Sequence, residues 1–133
     1  MYYMNDGHQY RFDHAVRNNQ TVCTGKYLAA LYLLCGDFEL RLSTSNAVLK
    51  QAIKFSACKY SNFTAEQYTL FRAAQDIYTG SNYINLQDLA DTGVIRRQIF
   101  EAIVEAMRIA RKGYEYIGID KPFRFTQEGR IER

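Results

Sequence analysis

The residues Tyr27-Leu-Ala-Ala-Leu-Tyr-Leu-Leu-Cys35 form the longest uncharged apolar run in the chain. Thr24 stands before the run as a candidate N-cap, and Gly36 follows it where a left-handed glycine often closes a helix. Only the tyrosine hydroxyls interrupt the apolar surface, so the run has no polar face to turn toward water. It therefore predicts a buried central helix around which the other helices pack.

Two further segments carry strong helical patterns. Residues 65–78 follow Thr64 and contain Gln67, which together have the spacing of a capping box. Residues 94–112 carry isoleucines and alanines at helical spacing and end in basic residues, which suit a helix C-terminus. The apolar face of this second segment is broad and includes Met107. We therefore expect it to lie deep in the core.

Weaker patterns complete the prediction of the fold. Residues 6–19, 46–53 and 86–90 each combine a candidate cap with apolar positions typical of a short helix. The chain has 133 residues and a single proline, which favours one domain of helices with short joints. We therefore predict an all-α fold, a compact single-domain bundle of five or six helices over residues 1–113.

The composition changes after Gly113. Residues 114–119 and 123–125 are aromatic and partly alternating, and Asp120-Lys-Pro122 joins them. This pattern fits a short β-hairpin, and it also fits an extended tail that lies on the helices. Because an isolated hairpin is marginal in water, we expect residues 114–133 to form an aromatic tail packed on the helical domain.

Charge and cysteine content limit the class of protein. The 17 Lys and Arg exceed the 14 Asp and Glu only mildly, unlike the dense basic face of a dedicated nucleic-acid binder. Cys23, Cys35 and Cys58 lack the spacing of a disulfide framework or a zinc site, so we interpret them as reduced structural thiols. The longest apolar run is shorter than the about 20 residues that cross a membrane, and the first residues do not resemble a signal peptide. We expect a soluble cytoplasmic protein.

Patterns that indicate catalysis are weak. His8 and His14 are six positions apart, about 600° of helical rotation, so they fall on opposite sides of a helix and do not share a metal. Glu101 and Glu105 are expected to face solvent beside arginines rather than to form an acid–base pair. We therefore predict that the chain is not an enzyme and has no catalytic residue, metal site or cofactor. A metal- or thiol-dependent enzyme is the least supported class.

A helix-turn-helix that binds DNA is the alternative function. Residues 86–99 place leucine, alanine and glycine in an order resembling that motif. Arg96, Arg97 and Gln98 would then stand at the N-terminal end of the recognition helix, where base edges are contacted. The turn is one residue too short, and the following helix is too long and too apolar for this role. Nucleic acid therefore stays as the alternative partner.

Basic and aromatic residues indicate a surface for a partner. Residues 41–65 contain four bases and no acid, which fits a docking surface for an acidic partner and also fits an ordinary solvated helix face. Tyrosine occurs eleven times, and the tyrosines near the chain ends favour a protein partner or a homodimer, although packing explains any single one. The predicted partner-binding residues are Arg41, Lys50, Lys54, Lys59, Tyr60, Tyr114, Tyr116, Phe123 and Phe125.

Three segments also carry a family resemblance: Ala30-Leu-Tyr-Leu-Leu-Cys-Gly-Asp37, Tyr68-Thr-Leu-Phe-Arg-Ala-Ala-Gln-Asp-Ile-Tyr-Thr-Gly80 and Asn85-Leu-Gln-Asp-Leu-Ala-Asp91. Over residues 8–113 the chain resembles short uncharacterised proteins of phages and conjugative elements of Gram-positive gut bacteria. Small proteins of such elements are often inhibitors of host machinery, anti-CRISPR proteins among them. The resemblance implies an inhibitor that occludes a protein or ribonucleoprotein complex in the bacterial host cytoplasm, and it assigns no functional residue.

Overall fold

The computed structural model describes residues 1–58 and 62–122, together with the backbone of residues 124–125 and 131–132. Within these residues the fold is all-α, as predicted, and no helix is long and apolar enough to span a bilayer. The helices are α1 Asp6–Asn18, α2 Gly25–Leu34, α3 Phe38–Ser43, α4 Ala65–Thr79, α5 Leu86–Ala90, α6 Arg97–Lys112 and the one-turn α7 Tyr114–Ile117. A two-stranded antiparallel pair follows, β1 Arg124–Phe125 and β2 Ile131–Glu132.

Helix α2 is the centre of the core, as its apolar run predicts. Every residue from Tyr27 to Leu34 is buried, and α2 packs most extensively on α6 and α4. Thr24 caps the helix, because its Oγ1 accepts a hydrogen bond from the Tyr27 N–H at 3.1 Å. At Gly25 a Cβ would lie 2.4 Å from the Ala110 carbonyl oxygen. Glycine therefore lets the start of α2 approach the end of α6 closely.

Gly36 ends α2 in a different way from the one expected. Among the described residues, the backbone is left-handed only at other glycines, such as Gly80 at the end of α4. At Gly36 a Cβ would lie 2.4 Å from the Met4 Cε. The absence of a side chain at Gly36 therefore makes room for the N-terminal segment, whereas backbone freedom is not needed there.

The longest helix begins later than predicted. Residues 91–96 form a turn in which the N–H groups of Val94 and Ile95 both donate to the Asp91 carbonyl oxygen, so α6 starts at Arg97. Its inner face is buried, but Met107, expected in the core, is 42% exposed. Glu105, expected to face solvent, is only 3% exposed. The prediction from the broad apolar face is therefore wrong about which edge of α6 is covered by the core.

The predicted helix over residues 46–53 is wrong. The chain forms a tight hairpin there, which we call the 47–54 hairpin: Val48 and Ile53 form an antiparallel bridge, and the Lys54 N–H donates to the Ala47 carbonyl oxygen at 2.8 Å. Ala47 and Ile53 are buried beneath it. The two β-branched residues suit an extended pair better than a helix.

The segment after Gly113 also differs from its prediction. Residues 114–117 form the helix α7 instead of a strand, and glycines with positive φ, Gly113 and Gly118, stand at its two ends. Tyr114 and Ile119 are buried against the helical core. The β-pairing occurs farther along, at β1 and β2. The predicted site residue Phe123 lies outside the described residues, and so does the side chain of Phe125.

Candidate functional site

One surface brings exposed apolar side chains beside basic ones. Phe38 and Leu42 lie one turn apart on α3 and are 64% and 63% exposed, whereas Leu40 on the opposite face is fully buried. Leu49 is a further exposed leucine on the 47–54 hairpin. Exposed apolar groups that cluster on a small protein mark interaction sites. The α3–hairpin surface is defined by Phe38, Arg41, Leu42, Leu49, Lys50 and Lys54.

Caps at both ends fix α3 in place. The Asp37 Oδ2 accepts a hydrogen bond from the Leu40 N–H at 2.9 Å and another from the Gln67 Nε2 at 2.8 Å, which ties α3 to α4. At the other end, the buried Thr44 hydroxyl donates to the Leu40 carbonyl oxygen at 2.9 Å. Because its ends are held and Leu40 is inserted in the core, α3 presents Phe38 and Leu42 on a rigid support.

The predicted basic residues that the structure describes fall on this surface. Lys50 and Lys54 are exposed on the hairpin, and Arg41 is half-buried on α3. Lys59 and Tyr60, predicted with them, lie outside the described residues. The exposed apolar residues of α3, Phe38 and Leu42, are not among the predicted site residues. Their spacing of four is a signal for one helical face, but it does not say whether that face or the one with Leu40 is buried.

Arg41 and Lys50 also line a cleft of about 380 Å³ between α1, α2 and the hairpin. Leu31 and Val48 contribute apolar groups to it, and His14 lies on the α1 side. All the residues that line the cleft are described, and none of them is acidic. The cleft therefore combines positive charge with an apolar lining.

Hydrogen bonds from α1 and α2 hold the hairpin at the edge of this cleft. The Tyr27 hydroxyl donates to the Leu49 carbonyl oxygen. The Asn19 Nδ2 donates to the Lys50 carbonyl oxygen at 2.9 Å. Burial raises the pKa of Tyr27 to about 12, so its hydroxyl keeps the proton that it donates. The shape of the cleft is thus maintained by bonds to the backbone, which leave the Lys50 side chain exposed.

Arg41 has no carboxylate partner among the described residues. The two ion pairs found there are Arg96–Glu66 and Arg108–Glu105. The Arg41 side chain lies beside the thiol of Cys35, and burial raises the pKa of that thiol to about 12. Cys35 is therefore a neutral neighbour, and the positive charge of Arg41 is not balanced by it.

The residues of the DNA-binding alternative are exposed at the start of α6. Arg96, Arg97 and Gln98 all face solvent, and the Arg96 Nε lies 3.3 Å from the Glu66 Oε2. A short helix, a turn and a long helix occur in the predicted order, but α5 has only five residues. The inner face of α6 belongs to the core. The carboxylate of Glu66 also reduces the positive charge at this end of the helix.

A buried polar cluster joins the N-terminal segment to α1 and α2. The Met4 N–H donates to the His8 Nδ1 at 3.1 Å, so the ring proton is on Nε2, which lies 2.8 Å from the Tyr32 carbonyl oxygen. Burial lowers the pKa of His8 to about 4. Both ring nitrogens are therefore occupied in the neutral state. The described residues contain no group of three or more side chains arranged to hold a metal ion.

Glu105 connects this cluster to α7. Its carboxylate accepts hydrogen bonds from the Tyr2 N–H and from the Tyr116 hydroxyl, and the Arg108 Nη1 lies 3.6 Å from its Oε1. These contacts explain how a carboxylate is buried on α6. No local sequence pattern predicts these contacts, because Tyr2 is 103 residues away from Glu105 in the sequence.

Two tyrosines predicted to bind a partner have internal roles. Tyr114 is buried, and its hydroxyl accepts a hydrogen bond from the Cys23 N–H at 3.0 Å. The hydroxyl of Tyr116 is engaged by Glu105. Tyr114 is therefore part of the fold rather than of an exposed surface, and neither residue belongs to the α3–hairpin surface.

Comparison with protein-family models, curated proteins and solved structures finds no match for this chain.

Proposed function

We propose that this chain is a non-enzymatic protein-binding module of a mobile element, an inhibitor that occludes a bacterial defence complex in the host cytoplasm. The observation that carries the proposal is the α3–hairpin surface: Phe38 and Leu42 are exposed on α3, and Arg41 of the same helix lines a cleft with Leu49 and Lys50 of the hairpin. Interface centres favour aromatic and apolar residues together with arginine, and basic residues around them steer an acidic partner.

The resemblance to small proteins of phages and conjugative elements supports the setting of this proposal. Occlusion requires only a rigid surface of the right shape and charge, which suits a small domain. A stable interface buries about 800 Å² on each partner. A surface of that size would extend beyond α3 over the hairpin, so we expect both elements to contact the partner.

Affinity capture with matched surface variants tests the proposal. Tagged protein is incubated with lysate of a Gram-positive host, with and without nuclease, and bound proteins are quantified. We expect a stoichiometric protein or ribonucleoprotein partner that is lost in Phe38→Ser/Leu42→Ser. The control variant, Leu86→Ser/Val94→Ser, removes two other exposed apolar side chains and should retain the partner. Equal capture by both variants would rule out the α3–hairpin surface.

Exposure of Arg96, Arg97 and Gln98 keeps a DNA-binding regulator as the second candidate. Binding to labelled duplex DNA is measured between 50 and 200 mM salt, values that span the usual range of salt-sensitive binding. DNA binding through these residues predicts a linear fall of log affinity with log salt, and its loss in Arg96→Gln/Arg97→Gln. Flat salt dependence, or no binding at micromolar protein, would eliminate this candidate.

A further inference from the structure

We infer that the cleft between α1, α2 and the 47–54 hairpin binds a short acidic peptide segment of the partner, in which a carboxylate meets Arg41 and Lys50 and a neighbouring apolar side chain contacts Leu31 and Val48. The inference rests on the proposed function, because it names the chemistry by which the α3–hairpin surface recognises its partner. It concerns a specific site, however, and can be tested with peptides alone.

The state of Arg41 is the first argument. A guanidinium that is half removed from water loses hydration, and proteins usually compensate such a loss with a carboxylate or a similar partner. Among the described residues Arg41 has no such carboxylate, and its neighbour Cys35 is neutral. A carboxylate supplied by a ligand would complete the hydrogen bonding of the guanidinium fork.

The charge around the cleft is the second argument. Lys50 and His14 line the same cleft as Arg41. No acidic side chain lines it, so a carboxylate entering there meets only positive or neutral groups. Lys54 is exposed on the same hairpin, which therefore carries a second positive charge.

The lining favours a peptide over a chain of phosphates. Leu31, Val48, Leu49 and Ala15 contribute apolar surface to the cleft. A sugar–phosphate backbone would leave this surface uncovered, whereas an aliphatic side chain next to an acidic one would bury it. The volume of about 380 Å³ falls within the range of pockets that hold small ligands. It is enough for a few side chains.

Titration of the ¹⁵N-labelled full chain tests the inference. The probes are the peptide acetyl-Asp-Glu-Leu-Glu-Asp-amide, its neutral analogue acetyl-Asn-Gln-Leu-Gln-Asn-amide, and inorganic phosphate. We expect the acidic peptide to shift amide signals of the 47–54 hairpin and α3, with little effect from the neutral peptide. Arg41→Gln and Lys50→Gln should each weaken binding by about fivefold to tenfold, the effect of losing one charge-assisted contact. Arg41→Lys should restore part of the loss, and Lys112→Gln, outside the cleft, should change nothing.

Each other result overturns the inference. Absence of shifts at about 5 mM peptide would mean that the Kd is weaker than any useful affinity. The cleft would then not bind this ligand. Shifts caused equally by phosphate would assign the cleft to phosphate groups instead. Equal binding by Arg41→Gln and the unaltered chain would place the peptide elsewhere.

The two proposals fail separately. Partner capture that requires Phe38 and Leu42 but tolerates Arg41→Gln would overturn the peptide site and leave the proposed function in place. Peptide binding in the cleft without a captured partner would support the peptide site and overturn the proposed function.

Discussion

His8 links the stability of the fold to pH. Burial lowers its pKa to about 4, although its bond to the Tyr32 carbonyl oxygen acts in the opposite direction, and the charge of Arg11 lowers the pKa a little further. An unfolded histidine has a pKa of about 6.5. Between these values the unfolded chain binds more protons than the folded one, so stability is full above about pH 6.5 and falls as the pH decreases toward 4.

We expect the free energy of unfolding to decrease by on the order of 3 kcal/mol over this range through His8 alone. Urea unfolding at pH 7, 6 and 5 measures the slope. His8→Gln should be less stable at pH 7 but should have a smaller slope. The control is His14→Gln, which replaces the exposed second histidine. A full slope in His8→Gln, or a reduced slope in His14→Gln, would contradict the assignment.

The Glu105–Tyr116 contact gives a second prediction for individual residues. The Tyr116 hydroxyl donates to Glu105 in a partly buried position, and a bond to a charged acceptor contributes about 1.5–3 kcal/mol. Tyr116→Phe should therefore lower the free energy of unfolding by about 1–2 kcal/mol. In a Glu105→Gln background the same change should cost less, which a double-mutant cycle measures.

Tyr10→Phe is the control for this cycle, because Tyr10 is a largely exposed tyrosine. It should be neutral within about 0.5 kcal/mol, as is usual for surface changes. Additive effects of Tyr116→Phe and Glu105→Gln would show that the two side chains act independently.

Among the helices, α2 and α6 depend on a single glycine where they meet. A Cβ at Gly25 would lie 2.4 Å from the Ala110 carbonyl oxygen, a backbone atom that cannot move aside. We expect Gly25→Ala to lower the free energy of unfolding by about 1–3 kcal/mol, since overpacking costs this much and outweighs the better helix propensity of alanine. Thermal or urea unfolding measures the effect.

Gly93→Ala is the matched control for this change. Its Cβ would meet only the carboxylate of Asp91, at 3.2 Å, which is the end of an exposed side chain. It should change stability by less than about 0.5 kcal/mol. Similar values for the two variants would mean that α2 shifts away from α6 without cost.

The elements that sequence analysis predicted well are those with local signals. The apolar run of α2 and the Thr64–Gln67 capping box of α4 depend on residues within one or two turns, and both occur as predicted. The 47–54 hairpin was missed because its support is remote. Its backbone is held by Tyr27 at Leu49 and by Tyr78, whose hydroxyl accepts from the Ile53 N–H at 3.3 Å.

The candidate site was also predicted only in part, because part of it depends on contacts that are remote in the sequence. The charge pattern predicted Arg41, Lys50 and Lys54 as partner-binding residues from composition alone, and the structure places Arg41 and Lys50 at one cleft. Composition does not distinguish the exposed Phe38 from the buried Leu40, two residues away on the same helix. Only the packing of α3 on the core determines that difference.

At the scale of the whole molecule, the N-terminal segment and α7 both pack against the helical core and stabilise it. Tyr2 and Tyr116 meet at Glu105, and Tyr114 accepts from the Cys23 N–H at 3.0 Å. A chain that ends at Gly113 loses the contacts of Tyr114 and Tyr116 and the buried side chain of Ile119. Glu105 then loses the Tyr116 hydroxyl but keeps the Tyr2 N–H and Arg108, whereas the Cys23 N–H loses the Tyr114 hydroxyl. Each such loss in a buried setting costs about 1–3 kcal/mol.

Two truncations separate the structural part of the C-terminus from the remainder. Removal of residues 114–133 should lower the midpoint of urea unfolding strongly, with loss of native helicity under mild conditions. Removal of residues 123–133 removes the β1–β2 pair but keeps α7 and the buried Ile119, so we expect a smaller effect on unfolding than removal of residues 114–133. Partner capture by this shorter truncation then tests Phe123 and Phe125 directly: a loss of partner with unchanged stability would assign them to the binding surface. Retained capture would exclude Phe123 and Phe125 from the binding surface.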